Sequence, residues 1–183
     1  MAPPPPHPVF NGGPDDWQLI ERILEMRLPN DYKTLINTYG TGCFFEFLYL
    51  LSPFAPFHTA FNLLSGGTMQ LLSAYEAGRK EFPQYAPPFP AYPHKTGLFP
   101  WATTINGDTL FWLREGGPDQ WGVVICDSKF SERYDYFKMC ATDFLCQLML
   151  GKLKSKVFPQ DVLVMGLTFT PYTEENPSVE NIP

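Results

Sequence analysis

Trp17-Gln18-Leu19-Ile20-Glu21-Arg22, then Leu28-Pro29-Asn30-Asp31-Tyr32-Lys33 and Tyr39-Gly40-Thr41-Gly42, place helix, breaker, helix and stop in one short span. Trp17, Ile20 and Leu24 recur at i, i+3 and i+7, so the first segment has one apolar face and leaves Glu21, Arg22 and Glu25 to water. Asp15 is placed to cap this helix, with Gln18 three residues on completing a capping box. Pro29 is expected to end the first helix and to open the second, where a missing N–H costs nothing. Tyr32, Leu35, Ile36 and Tyr39 form the second stripe, and Gly40 sits where a helix end calls for φ > 0.

Working outward, Cys43 to Leu51 is aromatic and apolar with a single charge, which predicts a buried strand or two short strands broken near Pro53. Phe61, Leu64, Met69, Leu72 and Tyr75 follow at roughly helical spacing; Gly66-Gly67 divides them into a short turn and a longer helix reaching about Lys80. Residues 83–97 carry five prolines and read as an extended loop laid on the surface. Trp101 to Ile105 and Asp108 to Leu113 flank Asn106-Gly107, a dipeptide favoured in two-residue hairpin turns. The polar loop 114–120 leads to a third strand, Trp121 to Cys126, and Tyr134 to Phe137 adds a fourth, so a meander is expected. Thr142 is expected to cap a last helix with Leu145, Leu148 and Met149 inside, and Lys152, Lys154 and Lys156 to oppose its dipole. Val162 to Phe169 reads as an edge strand.

The chain has 183 residues, a hydrophobic share of 44 % and 16 % aromatics, enough for one domain with a real core. The expected organisation is a flexible proline-rich tail at 1–14, one α+β domain over 15–170 and an acidic flexible tail at 171–183. The first tail contains neither Lys or Arg nor an apolar run of signal length, and Phe47 to Leu51, the longest apolar run, is too short to span a bilayer. A soluble, cytoplasmic protein is expected, without membrane contact. A formal net charge of −6 disfavours direct nucleic-acid binding, which depends on neutralising phosphates, and suits steering toward a basic protein.

Chemistry-bearing patterns are sparse. Cys43, Cys126, Cys140 and Cys146 have neither metal-pair spacing nor a disulfide framework, so free thiols are expected. His7, His58 and His94 stand apart with no ligand at i+4. Gly40-Thr41-Gly42 and Gly66-Gly67 lack a phosphate-cradling pattern. Asp108 pairs on paper with Glu46 or Asp127 as a carboxylate dyad, but a turn acid that bonds local backbone is the simpler reading. No catalytic residue, metal ligand or cofactor is assigned. Trp112 and Trp121 lie on strands whose alternation leaves half the residues outward, so either is a candidate interface anchor.

The ordered set from Trp17 to Gly42, continued by Leu98-Phe99-Pro100-Trp101-Ala102, Asn106 to Trp112, Trp121-Gly122-Val123-Val124 and Phe144-Leu145 before Leu148, resembles the SUKH superfamily, a group of immunity proteins and cell-wall-assembly regulators. The likeness runs from Asp15 to Pro159. It implies an α+β fold with two N-terminal helices and further helices packed on a mostly antiparallel sheet. It also implies a non-catalytic protein that binds and neutralises a toxin, here a basic, nuclease-like one. The sheet face and the 114–120 loop are the expected contact surface, with Glu46, Asp108, Trp112, Glu115, Asp119 and Trp121 as contacts. An intracellular regulatory adaptor that recruits protein partners is the alternative, and an enzyme with an unrecognised site the third reading.

Overall fold

The computed structural model describes residues 2–130, 134–159 and 166–173. Among these the chain forms four α-helices and one seven-stranded antiparallel sheet, the α+β arrangement expected.

Helix α1 spans Pro14–Ile23 and α2 spans Asn30–Tyr39. The cap of α1 is Gly13 rather than Asp15: Pro14 starts the helix, and the Gly13 N–H donates to the Asp16 carboxylate at 2.8 Å. The helix also ends well before Pro29. Glu25 turns left-handed at φ 50 while its N–H reaches the Arg22 carbonyl and the Met26 N–H reaches that of Glu21, a Schellman closure that buries Met26. Pro29 is therefore the residue flanking α2. Trp17, Ile20, Tyr32, Leu35, Ile36 and Tyr39 are all buried, as their spacing requires, and Lys33 pairs with Glu21 at 2.8 Å across the two helices. Gly40 has φ 75; a Cβ there would lie 2.2 Å from the Val9 carbonyl oxygen.

Strands β1 (Gly42–Phe44) and β2 (Leu48–Leu50) are joined by a tight turn in which Phe45 and Glu46 are both left-handed, so the apolar run breaks there and not near Pro53. Turns precede the glycine pair and helix α3 spans Gly66–Glu81, the longer helix expected there, with Ser65 capping it by accepting the Gly67 N–H at 3.2 Å. Strands β3 (Leu98–Thr104), β4 (Thr109–Leu113), β5 (Gly122–Cys126) and β6 (Tyr134–Phe137) form the meander, α4 spans Ala141–Met149, and β7 is Phe169–Pro171. The order across the sheet is β6-β5-β4-β3-β2-β1-β7. The β3–β4 connection is a three-residue loop: Gly107 N–H bonds the Thr104 carbonyl, only Gly107 takes positive φ, and Thr104 bonds Asp108 to close it. The expected two-residue turn is thus replaced by a turn and a glycine bulge.

Both faces of the central strands are covered. Leu110, Trp112, Val123 and Ile125 meet α1, α2 and α4 on one face; Phe111, Leu113, Val124 and Cys126 meet α3 and Ala91 of the proline loop on the other. For β4 and β5 this overturns the expectation that half of each strand faces water. Trp112 and Trp121 are inside, 0 % and 5 % exposed, and Trp112 packs edge-on against Tyr32 at 4.8 Å.

The N-terminal segment differs from a free tail. Ala2 is buried beneath the Tyr39 hydroxyl, which donates to its carbonyl; Val9 bridges Gly40 in parallel; and Phe10 packs on Tyr172 at 5.7 Å. At the other end, Pro171 lies in β7 and Tyr172 is buried, while residues 174–183 of the expected acidic tail lie outside the described residues. An edge strand is present at Phe169–Pro171, sharing only Phe169 with the one expected over Val162 to Phe169; residues 166–168 are not strand, and 162–165 fall outside the description. Cys140, not Thr142, flanks α4, and the three lysines follow the helix instead of closing its last turn.

Candidate functional site

The strand register divides the expected contact residues between opposite ends of the sheet. Phe44 pairs with Leu48, Leu48 with Thr104, and Thr109 with Cys126, so one end gathers the β1–β2 turn with Glu46, the β3–β4 turn with Asp108, and the start of the β5–β6 connection. We call this the turn end. Leu113 pairs with Gly122, which puts the β4–β5 loop with Glu115 and Asp119 at the opposite, loop end. Trp112 and Trp121 belong to neither surface.

At the loop end, Glu115 is exposed and projects from a connection that turns through Gly116 at φ 77. Asp119 is exposed too, but its carboxylate accepts the Asn30 N–H at 2.7 Å and the Asn30 side-chain amide at 2.8 Å. It therefore caps α2, whose flanking proline has no side-chain acceptor to offer. Asp31, one residue on, reaches α4: its Oδ2 accepts the Thr142 N–H at 3.0 Å and the Thr142 hydroxyl at 3.2 Å. Two helix N-termini are thus each closed by a carboxylate from another element, in series. Asp143 adds a further exposed acid in the first turn of α4. Arg114 faces the other way, its guanidinium between the rings of Tyr92 at 5.1 Å and Trp121 at 5.9 Å while Nη1 donates to the His94 carbonyl. Burial lowers its pKa. This stacking pins the proline loop to the loop end.

At the turn end, Asp108 is buried and structural. Its Oδ2 accepts the Thr104 hydroxyl at 3.0 Å and Oδ1 the Ser128 N–H at 3.2 Å, so it ties the β3–β4 turn to the β5–β6 connection. Burial pushes its carboxyl pKa up; the bonds from Ser128 and Thr104 act against that, Asp127 adds to it, and Lys129 acts against it. Glu46 is exposed on its left-handed turn. Beside these turns a cavity of about 430 Å³ opens between α3 and the sheet, lined by Leu71, Ala74, Tyr75, Phe111 and Phe130, with Asn106 and residues 127–129 among its polar lining. Cys126 also lines it, with a thiol that burial raises to about 12, so it serves as wall rather than nucleophile at neutral pH. The four cysteines are free; Cys43 and Cys126 are buried, and Cys140 and Cys146 are half-buried.

The profile of the SUKH_6 family, described as SMI1-KNR4 cell-wall, matches residues 14–145. The chain belongs to this family. No curated protein and no solved structure matches it. The SUKH_6 match takes in both sheet ends, the cap series and the cavity; β7 and the segment before it lie beyond it. Among the described residues no group of His, Cys, Asp and Glu is placed to hold a metal, and no helix is long and apolar enough to cross a membrane.

Sequence reasoning missed the cap on α4, the Arg114 stack and the cavity. The cavity did leave a signal: Leu71, Ala74, Tyr75 and Gly78 recur at i, i+3, i+4 and i+7, mixing small residues with large ones on a face that must meet the sheet. The Asp31 cap left none, because its partner Thr142 lies 111 residues away.

Proposed function

We propose that the protein is a non-catalytic binding domain of the immunity type, which neutralises a basic protein toxin by stoichiometric occlusion in the cytoplasm. The observation that carries this reading is the loop end: with both faces of the central strands covered, Glu115 and Asp119 stand exposed on the β4–β5 loop of a chain of net charge −6. Membership of SUKH_6 supports a protein partner. The family description, SMI1-KNR4 cell-wall, favours a second reading in which the same surface recruits partners as a regulatory adaptor. Neither reading uses a catalytic residue, a metal or a cofactor.

Exposed charge acts mainly on encounter, so Glu115→Lys should slow association with a partner captured from the native lysate and weaken its salt dependence while leaving dissociation nearly unchanged. Surface plasmon resonance at two salt concentrations reads both rates. An unchanged association rate removes the loop end as the steering surface. Capture of no protein, together with turnover of a small molecule, overturns the binding reading. A toxin as the captured protein separates immunity from the adaptor role.

A further inference from the structure

The N-terminal segment carries a motif that the loop end does not use. Residues 3–8 read Pro-Pro-Pro-Pro-His-Pro, and the chain on either side of them is tied down. Ala2 is buried, with its carbonyl accepting the Tyr39 hydroxyl, and the Val9 carbonyl accepts the Thr41 N–H at 2.9 Å where Val9 bridges Gly40. Between these anchors Pro3, Pro4, Pro6 and His7 are exposed, while Pro5 and Pro8 are half-buried.

Ring chemistry sets the form of this stretch. Proline fixes its own φ, and it also turns the residue before it away from the helical region. Both restrictions act on Pro3, Pro4 and Pro5, which favours polyproline II, a helix of about three residues per turn without internal hydrogen bonds. Burial follows that period: Ala2 is buried and Pro5 half-buried, one turn apart, and the two prolines between them are exposed. Pro6 is followed by His7 and escapes the second restriction, and the chain bends at Pro6 and His7. Among the described residues no hydrogen bond engages a polar atom of residues 3–8. The exposed surface is therefore a row of apolar rings with bare carbonyl acceptors, the chemistry that aromatic-lined grooves read. The first Lys or Arg in the chain is Arg22, so a groove that needs a basic ligand residue finds none here.

We propose that Pro3 to Pro6 is a docking motif for a partner protein with a neutral, aromatic-lined proline groove. The rings of Pro3 and Pro4 lie on the groove's aromatic side chains, and its indole and phenol donors bond the segment's carbonyls. Anchoring at Ala2 and Val9 presents the motif already ordered, which lowers what association must spend on ordering it. This contact is separate from the loop end and does not rest on the toxin reading.

The test uses full-length protein titrated into ¹⁵N-labelled WW and EVH1 domains, followed at the indole Nε1–H of each groove. At least one domain should show saturable shifts, and Pro3→Ala/Pro4→Ala should bind it roughly tenfold more weakly or worse, as expected for loss of a central anchor. The Thr41 amide, which reports the Val9 bond, should keep its position in that variant. The reverse titration keeps the proposal falsifiable even if the variant loosens the segment: labelled wild-type protein should change at His7 and the residues flanking the prolines and stay constant at Glu115. Absence of saturable shifts in every domain, equal affinity in the double variant, or changes confined to another surface would each overturn the assignment and leave the prolines the task of stiffening the segment alone.

Discussion

Asp108 is a carboxylate placed by the sequence beside a turn and placed by the fold out of water. Because burial raises its folded-state pKa above the ordinary 3.8, its contribution to stability is full below that value and is lost as pH rises through the folded-state value. In urea titrations between acid and neutral pH, the stability difference between the wild type and Asp108→Asn should therefore move in favour of the variant as pH increases. The opposite slope would mean that the bonds from Ser128 and Thr104 outweigh burial. Trp17 is a simpler case. It is 5 % exposed, packs edge-on against Phe54 at 4.7 Å, and donates Nε1–H to the Asn37 side chain at 2.9 Å. Trp17→Ala should cost about 3–5 kcal/mol, the range for emptying a core aromatic site, and a thermal melt matching the wild type would remove Trp17 from the core.

Between elements, the two carboxylate caps matter most. Asp119 closes α2, and Asp31 in the first turn of α2 closes α4, so the β4–β5 loop and the two helices share one arrangement. Asp119→Ala and Asp31→Ala should each lower unfolding free energy by about 1 kcal/mol, the usual worth of a helix cap. Chemical denaturation of the two single variants and the double variant measures both the losses and their coupling. Losses within error of zero in both singles would reduce the bonds to surface decoration. The same elements show what a sequence can disclose. Stripes of period 3.6 located α1 and α2, and Asn106-Gly107 located the β3–β4 hairpin, because those signals are local. The end of α1 was hidden, since it depends on Glu25 accepting a left-handed backbone so that Met26 can be buried. The fates of Trp112 and Trp121 were hidden for a related reason: alternation says that a strand has two faces, but only the packing of α1, α2 and α4 decides that theirs is dry. Of the expected contacts, Glu46 and Glu115 remain exposed and uncommitted to a cap, and they stand at opposite ends.

For the whole molecule, the N-terminal segment acts as a strap. Thr41 N–H bonds the Val9 carbonyl at 2.9 Å, Gly12 lies under the Phe54 ring, Ala2 is buried at Tyr39, and the exposed Phe10 ring packs on Tyr172. Deleting residues 2–12 should lower the melting temperature and uncover Tyr39 and Tyr172. Gly40→Ala should reproduce part of that loss, because its Cβ would strike Val9 and its φ is positive. Calorimetry on both variants checks the pair, and an unchanged transition in the deletion would make the strap dispensable.

The strand order carries one more consequence, for the growing chain. Six strands lie beside their sequence neighbours, but among the described residues the outer edge of β1 is paired by β7, more than a hundred residues later. At synthesis rates of about 5–20 residues per second, that edge waits on the order of 10 s with backbone groups open to any extended peptide nearby. A ribosome stall before Phe169 leaves the outer edge of β1 bare in the nascent chain.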